Sequence, residues 1–98
     1  MDNSIEPVGD KLLYEDAHIR VWLLELKGGE ASHWHTHKSD YLFVVTVPGE
    51  VQTEYESGAT EKQRDKRGDT SYREVDARHR LVNTGTSNYQ NVIVEFLE

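Results

Sequence analysis

Three histidines recur at every second position in one short segment of the chain, at His33, His35 and His37. An extended chain sends alternate side chains to the same face, so the three imidazoles are expected to point the same way. An apolar, β-branched stretch follows at residues 42–46 and places the histidines at the edge of a core. Neutral imidazole is the commonest metal-ligating side chain, and a further histidine, His79, comes later. The pattern therefore favours a metal site over a polar strand with surface histidines.

Composition sets limits on the class of protein. The chain has 98 residues, of which 36% are hydrophobic and 30% charged, which fits one domain with a modest core. The absence of cysteine excludes disulfides and thiolate metal sites and fits a cytoplasmic location. No apolar run is long enough for a membrane span, and the N-terminus lacks a signal-peptide pattern. The formal net charge of −7 disfavours nucleic acid and anionic membranes as partners.

The order of apolar segments and turn residues predicts an all-β protein. Residues 1–10 read as a loose arm, and the histidine segment reads as a strand entered through Gly28 and Gly29. The polar run 59–67 is expected as a solvated edge strand or loop. The other predicted strands occupy residues 11–15, 18–26, 40–47, 50–56, 70–75, 79–83 and 89–97. Short strands at such regular spacing are typical of a sandwich or barrel.

Two imidazoles from one strand and one from a distant strand can converge inside a barrel. Three nitrogens, with or without one oxygen, leave open positions on a divalent ion of iron, nickel, manganese or zinc. Calcium and magnesium prefer oxygen ligands and are not expected.

Two spaced motifs make the chain resemble the cupin superfamily. In the first, Gly29 is followed after five residues by His35-Thr36-His37, and Gly49 stands where the motif has its last glycine. The second runs from Gly68 through His79 to Asn83 with the family spacing. The segment 34–45 is also similar to that of small single-domain cupins attached to β-alanine degradation genes. The resemblance implies one double-stranded β-helix, the cupin jelly-roll barrel, over residues 11–98, with a divalent transition metal on His35, His37 and His79.

The match to the first motif leaves its register and its acidic ligand open. The family glutamate falls on Tyr41. A second register pairs His33 with His35 and uses Asp40 in place of the glutamate. In the preferred register, His33 or Asp40 is the expected source of any fourth ligand.

Three further side chains have two interpretations each. Tyr41 either fills the barrel as an aromatic residue or acts as an acid–base hydroxyl beside the metal. Arg73 and Arg78 flank the second motif. They are expected on the surface, with the alternative that one of them binds a substrate carboxylate.

The expected function is a metal-dependent reaction on a small organic acid or carbonyl compound, of the oxygenase, isomerase or lyase type. The alternative is a non-catalytic cupin that binds or senses a small ligand. Apolar residues on both faces of the predicted strands predict a homodimer in which outer sheet faces pack together.

Overall fold

The computed structural model of the chain describes residues 7–75 and 77–97. The first six residues of the expected arm, together with Asp76 and Glu98, lie outside these ranges. Within them every regular element is a strand, and no helix has the length and apolar character needed to cross a membrane. The strands are β1 Lys11–Glu15, β2 Ile19–Leu26, β3 Tyr41–Val47, β4 Gly49–Tyr55, β5 Thr60–Asp65, β6 Thr70–Arg73, β7 His79–Asn83 and β8 Tyr89–Phe96.

The strands form two antiparallel sheets. The larger has five strands in the order β1-β2-β8-β3-β6, and the smaller has three in the order β5-β4-β7. Pro48 and Gly49 carry the chain from β3 in the large sheet into β4 in the small one. A Cβ at Gly49 would lie 3.3 Å from the Tyr89 ring, so glycine lets the backbone approach this buried side chain.

The histidine segment differs from the predicted strand. It makes only two isolated bridges to β7, Ala31 with Val82 and His35 with His79. Because β4 occupies the other side of β7, these bridges extend the small sheet on the free side of β7. The side chains still alternate, with His33 exposed and His35 and His37 buried. The alternation that the spacing predicts thus exists without a continuous strand ladder.

The core lies between the two sheets, and its largest contribution comes from the large sheet. Each fully buried aliphatic or aromatic side chain contributes roughly 1.5–3 kcal/mol to stability. Val8 belongs to this core although it lies in the segment expected to be a loose arm. The buried apolar residues are Val8, Trp22, Leu24, Leu26, Tyr41, Val45, Val51, Tyr89 and Ile93.

Strand β8 turns its more polar face inward. Tyr89, Asn91 and Glu95 are buried, whereas Val94 is half-buried and Phe96 is exposed on the outer face. Partners on the inner side make this possible: the Glu95 carboxylate accepts a hydrogen bond of 2.7 Å from the Trp22 indole N–H. Buried polar groups of this kind are tolerated only when they are bonded.

The polar run 59–67 forms the edge strand β5, and its last residue reaches the core. Asp65 is buried, and its carboxylate accepts hydrogen bonds from the Tyr89 hydroxyl at 2.7 Å and from the Gln63 amide at 3.0 Å. Burial and the bond to Asp65 raise the pKa of the Tyr89 hydroxyl, which therefore keeps its proton.

We predict that Tyr89→Phe lowers the free energy of unfolding by about 2 kcal/mol, because it leaves the buried Asp65 carboxylate without its hydroxyl donor. The matched control is Tyr72→Phe, which removes a bond of equal length, 2.7 Å, to Asp40 at an exposed position. That variant should unfold close to the wild type in urea titrations. Equal losses in the two variants would contradict the structural role given to Tyr89.

Candidate metal centre

Backbone hydrogen bonds bring His35 and His79 together. The N–H of each residue donates to the carbonyl oxygen of the other, at 2.9 Å in both directions. Residues paired in this way across antiparallel chains place their side chains side by side on one face. His37 follows two positions after His35 and points to the same side. The fold therefore assembles the three imidazoles through the backbone.

The three histidines form a compact, buried cluster. Their potential ligand atoms all lie within 4.8 Å of one another, and each side chain is less than a tenth exposed. Ring centroids are separated by 4.7 Å for His35 and His79, 4.8 Å for His35 and His37, and 5.2 Å for His37 and His79. The three residues therefore form a group that could hold a metal ion, with one ligand atom from each ring.

Backbone carbonyls set the tautomers of two of the imidazoles. Nδ1 of His35 lies 2.8 Å from the carbonyl oxygen of His33, and Nδ1 of His79 lies 2.8 Å from that of Ala77. A carbonyl oxygen only accepts, so each Nδ1 carries the proton and donates. In the neutral ring the lone pair is then on Nε2, the atom that can ligate a metal, and the carbonyl contact fixes the orientation of the ring.

The third imidazole, His37, is neutral and has a ring nitrogen without a hydrogen-bond partner among the described residues. Burial, followed by the nearness of His35 and His79, lowers the pKa of His37 to about 2. Nδ1 of His37 is buried and has no hydrogen-bond partner within the described ranges. Tyr41 stacks on the His37 ring with centroids 3.6 Å apart and planes within 12°. An uncharged buried nitrogen without a protein partner fits a ligand for a cation.

The structure does not bring His33 or Asp40 into this group. The His33 side chain is exposed, and the residue contributes its carbonyl oxygen to His35 instead. The Asp40 carboxylate accepts hydrogen bonds from the Tyr72 hydroxyl at 2.7 Å and the backbone N–H of Val75 at 3.2 Å. The register that the geometry supports is therefore the pair His35 and His37, and the described residues supply three nitrogens without a carboxylate.

A narrow cavity of about 60 Å³ opens beside the histidines. Phe43 and Leu81 line it, and Tyr41 forms the wall next to His37. Arg73 also lines it, which favours the carboxylate-binding alternative for this residue over a purely surface position. Arg78 pairs with Glu56 at 3.6 Å and does not belong to the cavity wall.

Sequence reasoning missed three of the polar side chains that line the cavity. The cavity is lined by Asn91, Tyr89 and Gln63. The residue patterns of their strands do not predict that these side chains point inward. Gln63 lies in a run of charged residues. In β8 the valines alternate with Tyr89 and Asn91, so the sequence suggests that the valines face the core and that these two residues face solvent. The only signal in the sequence is the strict alternation of Tyr89 and Asn91 with Gln90 and Val92.

The donor set fits a divalent transition metal. Two imidazoles have oriented Nε2 atoms, and the third has a buried nitrogen without a hydrogen-bond partner among the described residues. Imidazole ligands of this kind suit iron, nickel or zinc. Arg73 and Tyr41 line the space beside the cluster that a second molecule would occupy.

Comparison with known proteins identifies the fold. No protein-family profile and no curated protein matches the sequence. Among solved structures, a cupin domain from Bordetella pertussis Tohama I is 20% identical, with a TM-score of 0.81 over 95% of this chain and 98% of that one. An RmlC-like cupin family protein with a double-stranded β-helix fold, from Methanocaldococcus jannaschii, is 17% identical, with a TM-score of 0.73 over 98% of this chain and 85% of that one.

One of the solved structures with a similar fold is described as an enzyme. A sugar phosphate isomerase of the cupin superfamily from Silicibacter pomeroyi DSS-3 is 20% identical, with a TM-score of 0.59, and the match covers 81% of this chain but 50% of that one. The chain thus has the cupin fold, an all-β double-stranded β-helix, and the predicted fold is confirmed. At these identities the likeness concerns the fold alone.

We predict that the metal-free protein loses stability as the pH falls below about 6.5. The unfolded chain protonates His37 near the ordinary histidine pKa of 6.5, whereas the folded chain holds this side chain neutral down to a pKa of about 2. Its contribution is complete above pH 6.5 and declines by up to about 1.4 kcal/mol per pH unit below it. Urea unfolding with a chelator, between pH 6 and 5, measures this slope.

His37→Gln should flatten the slope, since glutamine does not titrate. His18→Gln replaces an exposed imidazole outside the cluster and is the control for the substitution itself. An unchanged slope in His37→Gln would mean that His37 titrates normally in the folded protein.

Proposed function

We propose that the protein is a metal-binding cupin that acts on a small organic acid or carbonyl compound at its histidine cluster. The observation that carries the proposal is the convergence of His35, His37 and His79, each of which turns a ring nitrogen toward the others. A divalent metal, when bound there, supplies a Lewis acid that polarises a carboxylate or carbonyl oxygen. Oxygenase, isomerase and lyase chemistry all use a site of this kind. The absence of cysteine supports a cytoplasmic setting.

The charges around the cavity favour an anionic ligand. The chain as a whole carries −7, but Arg73 and a divalent ion would both place positive charge at the cavity. The Arg73 guanidinium is about one-third exposed, and its only ion-pair contact among the described residues is a distant one of 4.0 Å to Glu61. Guanidinium groups bind carboxylates with two parallel hydrogen bonds. Arg73 is therefore our choice for the group that orients the acid.

Two other side chains have roles in the proposal. The Tyr41 ring packs on His37 and limits its motion, and its hydroxyl is the candidate for moving a proton to or from the bound molecule. Phe43 and Leu81 are partly buried against the core and exclude water from the cavity wall. A volume of about 60 Å³ restricts the ligand to a few heavy atoms and excludes polymers.

The first test is metal binding. We expect purified protein without a polyhistidine tag to bind one zinc or nickel ion per chain at pH 7.5, measured by calorimetry and elemental analysis. His37→Ala and His79→Ala should each weaken binding at least tenfold, because each removes one of the three imidazole ligands. His33→Ala is the control and should bind like the wild type, because its side chain is exposed and outside the cluster. Full binding by the His35→Ala/His79→Ala double variant would refute the site.

The second test addresses the acid. We expect zinc-loaded protein to gain thermal stability with some member of a panel of two- to four-carbon carboxylic, keto and hydroxy acids. Arg73→Met should weaken that binding by about ten- to a hundredfold, the effect of losing a charged hydrogen bond. Arg78→Met removes a guanidinium outside the cavity wall and should leave acid binding unchanged. Equal effects of the two substitutions would exclude Arg73 as the acid-binding group, and absence of turnover with any bound acid would favour the sensor alternative.

We also propose a homodimer formed through the outer face of the large sheet. Strands β2, β3 and β8 place half-buried aliphatic side chains there, and the exposed rings of Tyr72 and Phe96 stack at its border with centroids 6.0 Å apart. We expect light scattering to give twice the chain mass, and Phe96→Glu to shift it to the monomer. Lys62→Glu, in the polar edge strand of the other sheet, should leave the dimer intact. A monomeric wild type at micromolar concentration would contradict this assembly.

A further inference from the structure

Asn91 projects from β8 into the cavity beside the histidines. It is 3% exposed, and its side-chain oxygen Oδ1 is buried with no hydrogen-bond partner within residues 7–75 and 77–97. A buried amide oxygen without a donor is costly, and in native proteins such a group commonly has a ligand or an ordered water as its partner. Because Asn91 lines the cavity, a molecule bound there can supply the missing donor.

A chain of hydrogen bonds fixes which end of the Asn91 amide faces the cavity. The Tyr89 hydroxyl donates its single proton to Asp65 at 2.7 Å, so its oxygen can only accept from Asn91. Nδ2 of Asn91 lies 3.0 Å from that oxygen and donates to it. The reversed amide would set two acceptors against each other. Burial keeps the Tyr89 hydroxyl protonated by raising its pKa, so the direction of the chain holds across the working range of pH.

The Asp65 end of the chain is equally determined. Its second oxygen accepts from the Gln63 amide at 3.0 Å, so both carboxylate oxygens have a donor. The direction of each bond in the series Gln63, Asp65, Tyr89 and Asn91 is therefore assigned, and the buried atom of these described side chains that lacks a partner is the acceptor Oδ1 of Asn91. The wall of the cavity thus holds a fixed hydrogen-bond acceptor in addition to the Arg73 guanidinium and the three histidines.

We infer that Asn91 determines specificity by accepting a hydrogen bond from the ligand, so that the preferred ligand is a small acid that also carries a hydroxyl or amino group. The inference rests on the proposed function for the carboxylate end of the molecule. Tyr89 is a positioning residue that holds the Asn91 amide in place. An acid without a donor leaves Oδ1 unpaired, and such sites discriminate against analogues that lack the bonding group. A cavity of about 60 Å³ accommodates a two- or three-carbon acid of this class.

The test compares acids that differ by one hydroxyl. Calorimetry on the zinc-loaded full chain measures the dissociation constants of glycolate against acetate, and of lactate against propionate. A hydroxyl beside the carboxylate can also chelate zinc, so the informative quantity is the hydroxyl preference of the wild type divided by that of Asn91→Leu. We expect this quotient to be roughly ten, the effect of one buried hydrogen bond. Gln90→Leu, which removes an amide from the outer face of the same strand, should keep the wild-type preference.

A quotient near one, with both acids binding, would overturn the role of Asn91 and leave the metal and acid site standing. If zinc does not bind, the proposed metal function fails, and the same quotient measured on the metal-free protein still decides the role of Asn91. No binding of any of the four acids in either form would overturn the inferred ligand class, whereas the metal titration and the wider acid panel decide the proposed function separately. Should Asn91→Leu fail to fold, a crystal structure of the wild type with glycolate decides: a hydroxyl on Asn91 Oδ1 supports the inference, and a hydroxyl directed elsewhere overturns it.

Discussion

The reciprocal backbone pair between His35 and His79 is the contact on which the site depends. It joins the histidine segment, which forms no continuous strand ladder, to strand β7. The two paired residues are themselves members of the histidine cluster. Side-chain alternation then places His37 on the same side without a further backbone contact being needed. The imidazoles are buried together because the backbone is paired there, and this burial, followed by the nearness of His35 and His79, lowers the pKa of His37 and keeps it uncharged. A neutral set of imidazole nitrogens is the basis for the proposal that the cluster binds a cation.

Polar and charged side chains make up a large part of the interior of this small fold. The buried groups include Asp65, Asn91 and Glu95 besides the histidines, and most have identified donors or acceptors. Among the described residues the exceptions are the Nδ1 atom of His37 and the Oδ1 atom of Asn91. Both residues line the same cavity, where a metal and a ligand would satisfy them. The polar interior is therefore stabilised by hydrogen bonds between its buried groups, and the two buried atoms without partners belong to residues of the cavity wall.

The sequence was sufficient for the fold and for the cluster. Turn signals at regular spacing predicted the strands within a residue or two, and the two spaced motifs selected His35, His37 and His79. The sequence was insufficient where tertiary contacts, rather than the local pattern of polar and apolar residues, decide whether a side chain is buried. Asp65 ends a run of exposed charges, and only its pairing with Tyr89 shows why it is buried. The fourth-ligand candidates His33 and Asp40 satisfied the spacing, but the path of the chain turns them away from the cluster.

Anomalous X-ray scattering tests most directly whether the cluster is a metal centre. Crystals of tag-free protein equilibrated with zinc or nickel at neutral pH, measured on both sides of the metal absorption edge, should show one strong anomalous peak per chain. The peak should lie between the side chains of His35, His37 and His79, with metal–nitrogen distances of about 2.0–2.1 Å for zinc. Fully occupied metal at other residues, with no peak among these three imidazoles, would contradict the assignment.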